Sequence, residues 1–379
     1  LPHPKITFYL LPQLFPSHLH PIPPHSPTPS PPPMPSRTRK GHHCAPGRGR
    51  HGGTCFTPAE LRRIATAWNK GNADHAPIAI HPRRSGGALW HDIDAKMRAE
   101  CTSEYCWTQR PTLTRHDPAV GGALAAASFR PAAPASWRAN PNEWLSTTDI
   151  QTVLAQYEHA HPGFKFVGAV PVDFASPADH GGMGQCVVQE LCAVDVQRWA
   201  DRDVRQLGIV FNMDAHDEPG SHWTSLYADF DANLVLYYDS FGDRPPPEVQ
   251  SLMDTLAVQL EARHGVPATV RANETRHQFH NTECGVYSIY FVAQMLEHRQ
   301  AGFGTALDAY ASYVSDGLND KQMNRYRRVF FRALYGDEKG GSGGLVGGGR
   351  RRRSRRRRRR GRGTGGRRRA TGTRVRRAA

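Results

Sequence analysis

The sequence predicts an α+β fold for its central region, residues 142–337. Apolar segments of strand length and segments with helical spacing of apolar residues are mixed there. They do not alternate regularly, as they would in a parallel α/β fold. The short segment Asp231-Ala232-Asn233 separates two of the apolar segments, which predicts an antiparallel hairpin.

Four helices and four strands are predicted in this region. In chain order they are a helix at 146–159, strands at 207–211, 223–230 and 234–238, a helix at 247–264, a strand at 268–272, and helices at 284–297 and 323–334. The helix at 284–297 is strongly apolar, which predicts that it is buried.

A small helical N-terminal domain is predicted over residues 42–110. Thr57 reads as an N-cap, with Pro58 at the first helical position and Glu60 in the first turn. A second helix, at 89–101, has apolar residues on one face. Residues 111–141 are rich in Pro, Ala and Gly and are interpreted as a linker.

Both ends of the chain have biased composition. Residues 1–41 form a Pro-rich arm, expected to be disordered, and Met34 is a candidate for the true start. Residues 338–379 combine a Gly-rich linker with a tail that carries 17 Arg and no acid after position 349. A run of like charge is expected to be disordered.

The formal net charge of +15 is unevenly distributed. The tail and residues 1–59 hold 23 of the 49 basic residues, so the middle has 26 basic against 34 acidic residues. The body is therefore acidic, which argues against a nucleic-acid-binding fold as a whole. No apolar run of 18 residues occurs, so we expect no membrane span.

The seven cysteines are too few for a disulfide scaffold in 379 residues, and we expect a reducing compartment. Four of them, together with nearby histidines, make a weak case for a zinc site because their spacing lacks a second tight pair. These are Cys44, Cys55, Cys101 and Cys106, near His42, His43, His51 and His91. Cys186 and Cys192 are interpreted as packing residues.

Two polar residues flank the predicted hairpin. His222 opens one strand and Asp239 closes the next. Because an antiparallel hairpin brings the start of one strand beside the end of the other, these residues are predicted to be neighbours. An acid in that position can orient an imidazole.

Cys284 begins the predicted buried helix. The unpaired N–H groups and the positive dipole end of a helix favour a thiolate, and an adjacent imidazolium favours it further. Gln278, six residues earlier, can donate a side-chain N–H to a developing oxyanion, with the backbone N–H of Cys284 as a second donor. These residue types match the logic of a thiol hydrolase.

Each signal alone has an ordinary explanation. A Cys at the start of an apolar helix is usually a core residue, a His at a strand start is usually a surface residue, and an Asp-Ser pair after a strand usually forms a turn. The order His222, Asp239, Cys284 with Gln278 upstream is much rarer by chance, and it favours a cysteine protease.

The motifs Gly220-Ser221-His222-Trp223, Tyr238-Asp239-Ser240 and Gln278 followed by Cys284-Gly285 resemble the ubiquitin-like-protein (SUMO/sentrin) protease superfamily, which includes the adenovirus protease. The segment 281–291 and Trp144-Leu145-Ser146 look most like the branch from large nucleocytoplasmic DNA viruses. The resemblance covers about residues 42–335.

The resemblance implies a papain-like, adenain-type protease core with catalytic residues His222, Asp239, Cys284 and Gln278. It implies an endopeptidase that cuts after Gly-Gly or Ala-Gly, with Trp223 over a narrow substrate channel. In the viral branch the substrates are structural polyprotein precursors cut during virion maturation, in the virion and the host cytoplasm. Neither a cofactor nor a metal is expected.

Other functions remain open on the sequence. Deconjugation of a SUMO-type protein would use the same Gly-Gly chemistry. A His-acid-Cys acyltransferase and an inactive nucleic-acid-binding virion protein are weaker alternatives, because Trp223 and the complete set of four residues favour hydrolysis. The Arg-rich tail is a candidate for non-specific nucleic-acid binding.

Overall fold

The computed structural model describes residues 44–48, 53–177, 185–315 and 318–334. The predicted Pro-rich arm, the Gly linker and the Arg-rich tail lie outside these ranges, as does Met34. Within them no helix is long and apolar enough to cross a membrane.

The described residues form a five-stranded sheet whose strands lie side by side in chain order. The strands are β1 (Phe164–Pro171), β2 (Gln206–Asn212), β3 (Trp223–Asp229), β4 (Leu234–Tyr238) and β5 (Thr269–Ala272). The three central strands are antiparallel, whereas β1 and β5 run parallel to their neighbours β2 and β4. This mixed sheet confirms the predicted α+β class.

Strand β1 is absent from the sequence prediction. Its pairing with β2 shifts register between Phe166 and Gly168, and Gly168 has a φ of +146°. A bulge of this kind interrupts the two-residue alternation by which strands are detected, so the strand lacks the expected periodicity.

The helices of eight or more residues in the described ranges lie close to their predicted positions, with one addition, α11. In chain order the helices are α1 (Pro58–Gly71), α2 (Gly86–Met97), α3 (Glu104–Thr108), α4 (Pro111–Thr114), α5 (Ala125–Ser128), α6 (Thr147–Ala160), α7 (Gln189–Cys192), α8 (Val196–Ala200), α9 (Pro247–His264), α10 (Cys284–Leu296), α11 (Ala306–Ser315) and α12 (Asp320–Phe330). Helix α12 begins earlier than predicted because the Asn319 side chain caps its start by accepting from the Gln322 N–H. It also ends earlier, at Phe330.

The sheet is covered by helices on both faces. Helices α6 and α10 pack on the face that carries Val210 and Leu236, and α9 packs on the face that carries Leu226 and Val235. Every residue of α10 except Gln294 is buried, which confirms the predicted buried helix. The position of the first residue of α10 is therefore set by core packing along its whole length.

Helix α1 begins as predicted. The Thr57 side chain accepts from the Glu60 N–H at 3.3 Å, and the Glu60 carboxylate accepts from the Thr57 N–H at 2.7 Å. This reciprocal capping box satisfies donors that the first helical turn leaves unpaired. The helix then buries Leu61, Ile64 and Trp68 in a separate N-terminal core.

Residues 111–141, interpreted as a linker from composition, are folded. They contain α4, a π-helical turn at Val120–Leu124, α5 and a 3₁₀ turn at Ala135–Arg138. Leu113, Val120 and Leu124 from this segment are buried in the N-terminal core. The one-turn helices are too short to show periodicity in the sequence, which is why the segment resembled a linker.

Six of the seven cysteines form disulfides: Cys44–Cys55, Cys101–Cys106 and Cys186–Cys192. The prediction of reduced cysteines is wrong for these six, and the pairing excludes the weak zinc site at the four N-terminal cysteines. Cys186 is half-buried and Cys192, the last residue of α7, is exposed, so neither is a core packing residue. The spacing of cysteines does not by itself say which of them pair, because several connectivities are possible.

The N-terminal core is tied to the sheet region by two arginines. Arg130 donates to the Tyr157 hydroxyl on α6 at 3.3 Å, and the Arg332 guanidinium lies 3.5 Å from the Tyr105 ring centroid. The Ala133 N–H also donates to the Arg332 carbonyl at 2.8 Å. The Arg332–Tyr105 contact is a cation–π interaction, and the Arg130–Tyr157 hydrogen bond has a charged donor. Together with the backbone bond they hold the two regions together.

The disulfides make a direct prediction about thiol content. In protein purified without reductant and unfolded in guanidinium, thiol titration is expected to find one free thiol per chain, from Cys284. After reduction the count is expected to be seven. Seven thiols before reduction would contradict the three disulfides, and Cys284→Ala is the control that should remove the single thiol.

Candidate active site

The hairpin β3–β4 brings His222 and Asp239 together as predicted. His222 immediately precedes β3 and Asp239 immediately follows β4. The antiparallel register, with Ser225 opposite Tyr238, places the two residues at the same end of the hairpin. The His222 Nε2 atom lies 2.7 Å from Asp239 Oδ1.

Asp239 is buried and its carboxylate is held by two donors. Oδ1 accepts from the His222 ring and from the Phe241 N–H at 2.8 Å. Because a buried polar group without partners is costly, these contacts stabilise the carboxyl group in its buried position.

Asn273, which follows β5, holds the backbone of Asp239. Its Oδ1 accepts from the Asp239 N–H at 2.7 Å, and its Nδ2 donates to the Asp239 carbonyl at 2.6 Å. One buried amide side chain thus satisfies both backbone groups of the acid. Sequence reasoning missed Asn273, because nothing in the spacing of β5 reveals a partner in another strand.

The His222 ring is enclosed. It stacks on Phe241 with centroids 4.3 Å apart and planes 7° apart. Burial alone would lower the pKa of His222, but hydrogen bonds to Asp239 and Cys284, and their charges, raise this pKa to about 9. Since Nε2 faces Asp239, the other ring nitrogen, Nδ1, is left for the thiol.

Cys284 is the first residue of α10, as predicted, and the one cysteine of the described residues that is not in a disulfide. It is buried, and its interaction with His222 is one of the causes of the raised pKa of that imidazole. The N–H groups of Val286 and Tyr287 bond to the Glu283 carbonyl, whereas those of Cys284 and Gly285 donate to no described group. The helix therefore presents unpaired N–H groups at the sulfur.

Gln278 is fully buried next to this region. Its Oε1 accepts from the Ser240 hydroxyl at 2.6 Å, and its Nε2 donates to the His280 carbonyl at 2.6 Å. The amide carries two hydrogens, so one remains to serve as the predicted oxyanion donor. Ser240, next to Asp239, fixes the orientation of this amide; the sequence had indicated only a turn there.

Trp223 is buried, and its indole N–H donates to the Leu145 carbonyl at 3.0 Å. A Cβ at Gly285 would lie 3.0 Å from the Leu145 Cβ, so the segment before α6 runs tightly against the start of α10. Trp144 in that segment is 41% exposed. Trp223 and Leu145 therefore form one wall beside Cys284, with an exposed indole next to it.

Arg327, on α12, ties the two segments around the nucleophile together. Its guanidinium donates to the Glu143 carbonyl at 2.7 Å and to the Thr282 carbonyl at 2.5 Å. Arg327 is buried, and burial lowers its pKa although nearby acidic groups raise it. It is a further residue that sequence reasoning did not identify.

One group of metal-ligating side chains occurs in the described ranges. Ligand atoms of His280, Glu283 and Asp320 lie within 4.8 Å of one another. Hydrogen bonds account for both carboxylates: Asp320 accepts from the Phe279 and His280 N–H groups, and Glu283 accepts from the Asn324 amide. The cluster therefore has a structural explanation without an ion.

Comparison with known proteins finds similarity over the region that contains this site. The model of the Ulp1 protease family, C-terminal catalytic domain, matches residues 196–335, which contain all four predicted catalytic residues. The chain is 26% identical over 306 residues to a thiol protease of Acanthamoeba polyphaga mimivirus, covering 76% of this chain and 93% of the relative.

The chain is also 29% identical over 133 residues to a cysteine protease of African swine fever virus, covering 35% of this chain and 45% of that relative. A selenomethionine crystal structure of the African swine fever virus protease matches with 19% identity and a TM-score of 0.49, covering 77% of this chain and 96% of the other.

The raised pKa of His222 predicts the alkaline limit of activity. A histidine whose pKa is raised keeps its proton until the pH passes that value, so kcat/KM is expected to fall above about pH 9. In Asp239→Asn the charge that raises the pKa is lost, and the alkaline limb should move toward lower pH. Asp243→Asn, at an exposed acid nearby, is the control.

Full pH profiles of kcat/KM for the three proteins test this. An alkaline limb at the same pH in wild type and Asp239→Asn would show that Asp239 does not control the proton on His222.

Proposed function

We propose that this chain, whose catalytic domain belongs to the Ulp1 protease family of cysteine peptidases, is an endopeptidase that cuts after Gly-Gly-like sites. The observation that carries the proposal is the 2.7 Å contact of His222 with Asp239, in a site where Cys284, at the start of α10, also raises the pKa of the imidazole. The acid, the base and the nucleophile thus meet in one site.

In the proposed acylation step, Cys284 acts as a thiolate paired with the protonated His222. The sulfur attacks the scissile carbonyl carbon, and the carbonyl π electrons move onto oxygen. When the tetrahedral intermediate collapses, the C–N bond breaks and His222 gives its proton to the leaving amine. Asp239 keeps the imidazole ring oriented throughout.

The negative oxygen of the intermediate is held by two donors. These are the second amide hydrogen of Gln278 and the unpaired N–H of Cys284. Both are fixed before the substrate arrives, since Gln278 is locked by Ser240 and Cys284 by the buried helix. Preorganised donors stabilise the transition state without reorganisation cost.

Hydrolysis of the thioester completes the cycle. His222, now neutral, removes a proton from water, and the hydroxide attacks the acyl carbon through a second oxyanion in the same site. The C–S bond breaks, the thiolate is restored and the acid product leaves. No cofactor takes part in this scheme.

We assign specificity for glycine to the wall formed by Trp223 and Leu145. Trp223 is fixed by its bond to the Leu145 carbonyl, and Trp144 is exposed beside it. Two flat indoles on one side of the nucleophile leave room for a backbone without Cβ atoms. A residue with a side chain would collide with a wall that cannot move.

For the natural substrate, we infer structural polyprotein precursors processed during virion maturation, in the virion and host cytoplasm. The support for this is that the similar proteins from mimivirus and African swine fever virus are viral proteases. The alternative is deconjugation, since the protein of another African swine fever virus isolate is named a SUMO-1 cysteine protease. Cleavage of a Gly-Gly precursor compared with a SUMO conjugate separates the two.

The proposed function is tested with quenched-fluorescence peptides that contain Gly-Gly-x or Ala-Ala-x. Wild type is expected to cut only the first, after the second glycine. Cys284→Ala should be inactive, and Gln278→Ala should lose about 10²–10³ in kcat as other oxyanion-donor losses do. Gln250→Ala, at a helix position away from the site, is the control. Cleavage by Cys284→Ala would overturn the assignment.

For the Arg-rich tail, 350–379, we infer non-specific binding to nucleic acid. Its 17 Arg can neutralise phosphates and release counterions, so affinity should fall steeply with salt. Binding to double-stranded DNA at two salt concentrations, with and without residues 338–379, measures this. Equal affinity of both forms would contradict it.

A further inference from the structure

A cleft lies beside the nucleophile, and neither Trp223 nor Leu145 lines it. It has a volume of about 480 Å³, and it is lined by Phe241, Arg276, Phe279 and the segment that leads to Glu283. A volume of this size holds one or two amino-acid side chains. The acylation and hydrolysis steps make no use of it.

The leaving group of the substrate departs on the side of the site where this cleft lies. His222 gives its proton to the leaving amine, and the His222 ring stacks on Phe241 at 4.3 Å. Phe241 is part of the cleft lining. The residue after the scissile bond therefore begins within reach of His222 and next to the cleft, whereas the glycines before the bond lie against Trp223.

Arg276 is held in place within the cleft. Its guanidinium carbon lies 5.0 Å from the Phe241 ring centroid and 5.4 Å from that of Phe279. Its Nε donates to the Gln278 carbonyl at 2.8 Å. A guanidinium stacked on aromatic rings is preorganised, so it loses little freedom when it binds a carboxylate.

The charge of Arg276 is not neutralised within the described part of the chain. No carboxylate there lies within 4.0 Å of its nitrogens, and its terminal nitrogens bond to no described acceptor. Glu283 in the same cleft is buried and already accepts from Thr282 and Asn324. Arg276 is exposed, so it presents a positive charge at the mouth.

Phe279 places an aromatic ring at the mouth of the cleft. It is 69% exposed although it borders the buried centre. Its backbone N–H bonds to Asp320 at 3.0 Å, which fixes the loop while the ring stays outside. An exposed ring beside a guanidinium suits a ligand with an aliphatic stem and an acidic head.

We propose that this cleft binds the leaving-group side of the substrate, and that Arg276 selects an acidic side chain at the first or second position after the scissile bond. The proposal rests on the proposed endopeptidase function and specifies its substrates further. The proposal favours substrates whose scissile bond is an ordinary peptide bond followed by Asp or Glu over conjugates whose scissile bond joins glycine to a lysine side chain.

The experiment compares peptides that share the Gly-Gly side and carry Asp or Lys at the first or second position after it. In wild type the kcat/KM ratio of Asp to Lys is expected to be about 10, mainly through KM, as for a preorganised charged contact. In Arg276→Gln the ratio should approach one, and in Arg276→Glu it should invert. Arg271→Gln, an exposed arginine of β5, should keep the wild-type ratio.

The inverted ratio keeps the test decisive even if the variants are slower, because misfolding lowers both rates together. An equal ratio in wild type and both Arg276 variants would overturn the proposal. A Gly-Gly coumarin amide, which has no residue after the scissile bond, distinguishes failure of the proposed peptidase function from failure of the role of Arg276. If wild type does not cut it or the peptides, the proposed function fails; if wild type cuts it but shows no Asp preference, only the role of Arg276 fails.

Discussion

The buried contact between Asp239 and His222 is the interaction on which the rest of the site depends. A carboxylate and an imidazole taken out of water are stable only when each has partners. The surroundings of both residues meet this need: Asn273 holds the Asp239 backbone, the Phe241 N–H bonds its carboxylate, and the Phe241 ring covers the imidazole. Residues 239–241 thus hold His222 through the Asp239 carboxylate and the Phe241 ring, and Ser240 orients Gln278 as well.

The site joins two rigid parts of the fold. The base and the acid come from the end of the β3–β4 hairpin, and the nucleophile comes from the start of α10, which is buried between the sheet and other helices. Since neither part can shift without disturbing the core, the distance between thiol and imidazole is set by packing rather than by flexible loops. The low accessibility of the site follows from the same packing.

Much of this arrangement could be predicted from the sequence because it is local. The short turn between the two strands fixes which residues of the hairpin face each other, so His222 and Asp239 were predicted as neighbours. The helix start at Cys284 was evident from the apolar run. Asn273, Ser240 and Arg327 could not be found, since their partners are distant in sequence and their side chains are ordinary polar residues. The disulfides were missed although they are local, because spacing does not say whether or with which partner a cysteine pairs, and β1 was missed because its bulge interrupts the pattern.

The contacts of Arg327 also bear on the order in which the protein assembles. Arg327 and Glu143 are 184 positions apart, and the same guanidinium reaches Thr282 beside the nucleophile. Contacts between distant positions require loop closure and tend to form late in folding. The contacts that hold the segments around Cys284 are therefore complete only when α12 has been synthesised and has docked. A chain that already carries the thiol, the imidazole and the acid still lacks the bridge between residues 143 and 282 until α12 docks, so a helix that contributes no catalytic group is needed to complete the site.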